Sequence, residues 1–282
     1  MRILNQTLLL AVSLTLLVSC GHAGKSVNDQ GVNIAYTDDG HGDTTLLFIH
    51  GWDLDKSYWS DQVAHFKDHY RVVAMDLPGF GESGTNRSDW TAPAYAADVD
   101  TLMSQLNLQH VVLIGHSMSG DIALLAALGA PNRVIALVGV DNFKNIKPET
   151  EQEKEDDARM MTVFKMGYKE AAIQFFKDDL FYTTTPDSIK KRILTDAINA
   201  DSAIAIAAIS APVINETQSL ESYGKPLYLI NSQYKTTDTA ALTAAHVPYN
   251  IQYITEVGHF PMVEKPQAFN ADLDKVLGMI GH

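Results

Sequence analysis

The stretch Gly115-His116-Ser117-Met118-Ser119-Gly120 holds the residue best placed to do covalent chemistry. An apolar run at 111–114 precedes it and an Ala/Leu-rich run at 122–128 follows. That pattern is strand, sharp turn and helix, with Ser117 at the apex. Its hydroxyl is turned out of the sheet toward the free N–H groups of a helix N-terminus, which favour negative charge. A serine hydroxyl attacks only when a base takes its proton, so the turn predicts a histidine and a carboxylate elsewhere in the chain. The pattern Gly-x-Ser-x-Gly is met except at its last position, where Ser119 stands, with Gly120 one residue later. The turn is crowded there and needs a small side chain.

The elements that must position this serine follow from hydropathy patterning. Residues 32–36 alternate and predict an edge strand. The largely apolar runs at 45–49, 71–75, 111–114, 134–140 and 226–230 predict strands, and those closed in by helices are buried on both faces. A last strand is expected at 251–254. Helical patterns fall at 57–69, 90–106, 122–128, 237–245 and 267–280. Alternation of strand and helix implies a mostly parallel sheet with helices on both faces, the α/β class. Residues 142–223 differ. They hold an acidic run at 149–157, amphipathic stretches at 158–166, 169–176 and 189–200, and an Ala/Ile run at 203–209. They are expected to form a helical cap inserted between two strands, over the site. The acidic run reads as solvated surface. The expected division is therefore a core of 31–141 and 224–282 around a cap of 142–223.

The chain has 282 residues, 46% of them hydrophobic, and a formal net charge of −13. The acidic balance excludes nucleic acid as an expected partner, since phosphate backbones demand a basic surface. At the N-terminus, a basic start and an apolar run at 8–18 form a signal segment too short to span a bilayer as a mature helix. Leu17-Val18-Ser19-Cys20-Gly21 resembles a bacterial lipobox, in which Cys20 becomes the first mature residue and carries lipid. Cys20 is the chain's one cysteine. The expectation is a signal peptide at 1–19, a lipid anchor on Cys20, a polar tether over 20–30 and a place on the bacterial cell envelope. Cleavage near Ala23, with Cys20 discarded, is the alternative.

Four motifs carry a resemblance: His50-Gly51-Trp52, Asp76-Leu77-Pro78-Gly79-Phe80-Gly81-Glu82-Ser83, the Ser117 turn, and Gly258-His259-Phe260-Pro261. Each stands at the C-terminal end of an expected strand, and in this order they resemble the α/β-hydrolases, in the small capped esterase-like branch. The resemblance implies Ser117 as nucleophile and His259 as general base. It implies an oxyanion hole from the backbone N–H groups of Met118 and Trp52, with the Trp52 indole against the acyl pocket. His116 is expected to pack beneath the turn, and 76–83 to form a structural loop. The acid has two candidates. Most of the family carries it after the strand that follows the cap, where this chain reads Asn231-Ser232-Gln233-Tyr234-Lys235 and offers a carboxylate only at Asp238. Other members carry it before the cap, where Asp141 stands; Asp141 is preferred here. Each could instead cap a helix. The implied reaction is hydrolysis of a small carboxylic ester through an acyl-enzyme. The other readings are a cofactor-free perhydrolase or carbon–carbon bond hydrolase on the same residues, or a ligand-binding homologue with little turnover. No cofactor and no metal is expected: no cluster has metal-ligand spacing, and no dinucleotide or phosphate-loop fingerprint occurs.

Overall fold

Strands that are apolar throughout can be stable only where both sheet faces are covered, and those runs form the centre of the sheet. The structure, a computed structural model, describes residues 24–281. The eight strands are β1 (Lys25–Asp29), β2 (Val32–Gly40), β3 (Thr45–Ile49), β4 (Arg71–Met75), β5 (Val111–His116), β6 (Val134–Val140), β7 (Leu227–Ser232) and β8 (Tyr249–Ile254). They lie in the order β1-β2-β4-β3-β5-β6-β7-β8. β1 and β2 run antiparallel, as do β2 and β4, and the other pairings are parallel. Every residue of β3 and β5 is buried.

The helices follow in chain order: α1 (Ser60–Phe66), α2 (Ala92–Gln105), α3 (Ser119–Gly129), α4 (Glu151–Met166), α5 (Tyr168–Phe175), α6 (Asp187–Asn199), α7 (Ser202–Ile209), α8 (Glu216–Tyr223), α9 (Thr239–Ala244), α10 (Pro261–Glu264) and α11 (Pro266–Ile280). A short 3₁₀ turn (Lys56–Trp59) leads into α1, and a π turn (Phe176–Leu180) ends α5. Five helices, α4 to α8, lie between β6 and β7. The acidic start of α4 is exposed and closed by a capping box, in which Thr150 and Glu153 satisfy each other's backbone N–H. Long-range hydrogen bonds tie the inserted helices to the core, among them that of the Trp52 indole, which donates to the Ala205 carbonyl at 2.9 Å, and that of the Tyr58 hydroxyl, which donates to Asp196 at 2.5 Å.

Two expectations need correction. Residues 25–29, taken from their polarity as part of a tether, are a strand. β1 is the sheet edge, so only Val27 of its five side chains is buried and the rest can be polar. In consequence β2 is not the edge: it extends to Gly40 and is paired on both sides. The expected signal segment and Cys20 lie outside the described residues. Among the described residues, no helix is long and apolar enough to cross a membrane.

Candidate active site

The turn after β5 places Ser117 at φ +53°, a left-handed conformation that non-glycine residues rarely adopt. Local contacts hold it there. The Ser117 N–H donates to the Val140 carbonyl at 3.0 Å, and the Gly120 N–H donates back to the Ser117 carbonyl at 2.9 Å. The turn is so tight that a Cβ on Gly115 would come within 2.1 Å of the Ser119 carbonyl oxygen. Ser119 itself fits because its side chain points away from that contact. It is fully buried, and its hydroxyl donates to the His50 carbonyl, so it joins the helix start to the end of β3. The departure from the glycine pattern is thus a hydrogen bond between the start of α3 and the end of β3.

His259 stands beyond β8, in a turn anchored by its own N–H to the Leu180 carbonyl at 2.8 Å. Its Nε2 lies 2.7 Å from Ser117 Oγ, and its Nδ1 lies 2.6 Å from Asp141 Oδ2. Asp141 follows β6 directly, at φ +51°, and is buried. Its other oxygen, Oδ1, accepts from the Ser232 N–H at 2.7 Å, from the Ser232 hydroxyl, and from Lys144 Nζ at 2.7 Å. Burial alone would push this carboxyl up. The hydrogen bond and charge of His259, with those of Lys144, outweigh it and hold Asp141 well below the usual carboxylate range.

Asp238 is elsewhere. It caps α9, accepting from the Ala241 N–H at 3.0 Å, and pairs with Lys147. The end of β7 supplies Ser232, which donates to Asp141 instead. Asn142 binds the two strand ends together: its amide nitrogen donates to the Gly115 carbonyl at 2.8 Å and the Ser117 carbonyl at 3.4 Å. Sequence reasoning singled out none of Ser232, Asn142 and Lys144. Nothing but proximity to Asp141 marks Asn142 and Lys144 in the sequence, and Ser232 is met only after a long excursion of chain.

His116 packs beneath, its Nε2–H donating to the His259 carbonyl at 2.7 Å. Burial, with the neighbouring His259 ring, drives its pKa down to about 3, so it stays a neutral donor. A Cβ on Gly51 would meet His116 Nδ1 at 2.6 Å, so only glycine lets the loop after β3 pass this close. The loop brings Trp52 to the site. Neither the Trp52 nor the Met118 backbone N–H donates to an acceptor among the described residues. Residues 76–83 are a strapped loop: Asp76 accepts from Lys56 and from the Glu82 N–H, and the Ser83 hydroxyl donates to the Asp76 carbonyl.

Ser117 and His259 open into a cavity of about 350 Å³ roofed by the inserted helices. Trp52, Phe176 and Phe260 form a continuous stack along it, with ring centroids 5.8 and 6.1 Å apart. Among the described residues no lysine or arginine lines it; apart from His116, Ser117 and His259, its ionisable side chains are Asp121 and Tyr95. Asp121 sits beside Glu216 of α8, and burial drives both carboxyls up, to about 6 and about 9, with the mutual charge adding to the shift of Glu216. This carboxyl pair also went unread in the sequence, because its members are 95 residues apart.

A family model for the alpha/beta hydrolase fold matches residues 44–185, half of the chain. The chain belongs to the alpha/beta hydrolase family. It is an enzyme of the alpha/beta-hydrolase type. Among its curated relatives is the dihydrolipoyllysine-residue acetyltransferase component of the acetoin cleaving system of Cupriavidus necator, 28% identical over 88% of this chain and 67% of that protein. Another is 3-oxoadipate enol-lactonase 2 of Acinetobacter baylyi, 23% identical over 91% of this chain and 97% of that protein. A thermophilic esterase from Thermogutta terrifontis has the same fold, with a TM-score of 0.77 and 23% identity over 91% of this chain and 97% of that one. Such a fold hosts many chemistries, so the reaction must be argued from the site.

Proposed function

We propose that this alpha/beta hydrolase cleaves a small, uncharged carboxylic ester through an acyl-enzyme. The observation that carries the reading is the unbroken line from Ser117 Oγ through His259 to Asp141, open to an apolar cavity. His259 Nε2 takes the Ser117 proton as the hydroxyl oxygen attacks the ester carbonyl. Asp141 accepts from Nδ1–H, which fixes the imidazole tautomer and stabilises the imidazolium as it forms. The free N–H groups of Trp52 and Met118 receive the developing oxyanion. Loss of one such donor commonly costs about 10² to 10³ in rate. The imidazolium then gives its proton to the departing alcohol. The same imidazole activates a water that releases the acid and restores Ser117.

The cavity supports the choice of substrate. At about 350 Å³ it is near the lower end of the size range for small-molecule sites. Its walls are aromatic and aliphatic, and without lysine or arginine it has nothing to pair an anionic substrate. Names among the relatives and solved structures, which include esterases and an enol-lactonase, agree with ester or lactone cleavage. The leader segment and Cys20 support a lipid-anchored place on the cell envelope.

The test is turnover of p-nitrophenyl esters from acetate to octanoate by the purified protein and by Ser117→Ala. The reading expects turnover with shorter chains favoured, and loss of at least about 10³-fold in Ser117→Ala. Absence of turnover on every ester, with apolar ligands still bound, would replace the esterase reading with that of a binding protein.

A further inference from the structure

The mechanism above leaves a largely buried cation beside Asp141 unused. Lys144 lies in the loop after β6, three residues beyond Asp141, with its side chain 17% exposed. Its Nζ is 2.7 Å from Asp141 Oδ1, the oxygen turned away from His259, and 3.1 Å from the Ser232 hydroxyl. The ammonium also lies over the Tyr234 ring, 4.7 Å from its centroid. Its backbone is held too, since the Asp238 N–H donates to the Lys144 carbonyl at 2.7 Å. Long lysine side chains ordinarily reach solvent; this one is spent on a carboxylate that is already bound to a histidine and a serine.

We infer that Lys144 is a positioning residue that acts through Asp141: its charge draws on the carboxylate from the side opposite His259 and so sets the pH at which the imidazole becomes a free base. The inference rests on the Ser117–His259–Asp141 reading and extends it. A carboxylate shared between two cations stabilises each of them less than it would alone. With Lys144 in place the imidazolium is held less tightly, so His259 is available as a base at lower pH. Lys144 also fixes the orientation of Asp141, by taking one of the three bonds to Oδ1.

The other charged and titratable groups around the cluster are few. Lys235 faces Lys144 and is drawn toward Asp179, at 3.3 Å. Tyr234 donates its hydroxyl to the Asp179 carbonyl at 3.0 Å. Glu264 accepts from the N–H groups of Gly258 and Phe260, on either side of His259. His116 lies against the His259 ring, with centroids 4.8 Å apart, and His50 lies behind His116. Of the cations among the described residues, Lys144 alone touches Asp141 besides His259.

The experiment is the pH dependence of kcat/KM on a p-nitrophenyl ester for the wild type, Lys144→Gln, Lys144→Met, Lys144→Arg and Asp141→Asn. Gln keeps a donor toward Asp141 without charge, and Met keeps the unbranched stem over Tyr234 should the amide variant fail to fold. The acidic limb in the uncharged variants is expected to move to higher pH, by on the order of one unit for a charge this close. Arg is expected to return the limb to the wild-type position, with KM within about twofold of wild type in every Lys144 variant. A role in folding alone would lower stability or kcat without moving the limb. A limb unmoved in Gln or Met, or moved to lower pH, overturns the inference, provided Asp141→Asn is inactive. Substantial activity in Asp141→Asn would bring down the reading of the triad itself.

Discussion

Tyr168 of α5 donates its hydroxyl to Asp53 Oδ2, and this buried bond ties the inserted helices to the loop that carries Trp52. Asp53 is 3% exposed, at φ +60°, and its other oxygen has no partner among the described residues. Burial pushes its carboxyl up to about 7 from an ordinary 3.8, with the Tyr168 bond opposing the rise. The folded state therefore keeps this proton to a higher pH than the unfolded chain does. Unfolding releases it, and stability falls as pH rises between about 4 and about 7. At about 1.4 kcal/mol per unit, the interval sets a ceiling of roughly 4 kcal/mol on the loss. Tyr168→Phe removes the donor that favours the ionised form, so the folded-state pKa climbs further. The cost of the substitution should be that of a neutral hydrogen bond, about 0.5–1.5 kcal/mol, at pH 5. It should become that of a bond to a charged group, about 1.5–3 kcal/mol, at pH 8. Urea unfolding of both proteins at the two pH values reads this difference directly. A deficit equal at the two pH values, or larger at pH 5, would refute the assignment of the buried charge to Asp53.

Asp238→Asn keeps a capping side chain on α9 and loses only the solvent-screened pair with Lys147, so ester turnover and the urea midpoint should both match wild type. Asn142→Ala frees the Gly115 and Ser117 carbonyls; it should cost about 1–3 kcal/mol in chemical unfolding and lower kcat more than it raises KM. Gly51→Ala puts a methyl 2.6 Å from His116 Nδ1 and 3.1 Å from Ser117 Cβ, which must displace the Trp52 N–H. Steady-state kinetics of the soluble variant should show a fall of about 10²-fold in kcat, as expected for a shift approaching an ångström at the reacting atoms.

The α/β class is legible because the central strands are uniform: 46–49 and 111–114 admit no polar residue and end in turns rich in glycine. The edge is not. Lys25–Asp29 carries one buried side chain in five, which no hydropathy rule separates from a tether. The same asymmetry governs the site. Ser117 and His259 stand in turns whose neighbours announce them, and Asp141 ends a recognisable strand. The groups around Asp141 are different. Ser232 reaches it across 91 residues of chain, and Asp121 meets Glu216 across 95. Such pairs are set by how β6, β7 and the inserted helices pack, and short sequence patterns carry no trace of them. Lys144 is close in sequence, yet a lysine in a loop gives no sign that its ammonium is turned inward onto Asp141. Ser119 is instructive in the other direction: as a sequence it is a flaw in a motif, and in the fold it donates to the His50 carbonyl at the end of β3.

The most direct test of the account is covalent trapping. The purified protein would be treated with a fluorophosphonate and the modified residue located by peptide mass spectrometry, beside Ser117→Ala, His259→Ala, Asp141→Asn and Asp238→Asn. The account predicts one adduct, on Ser117, absent in Ser117→Ala, slowed by at least about 10³-fold in His259→Ala and Asp141→Asn, and formed at the wild-type rate in Asp238→Asn. An adduct on another residue, or wild-type labelling of Ser117 in Asp141→Asn, would contradict it.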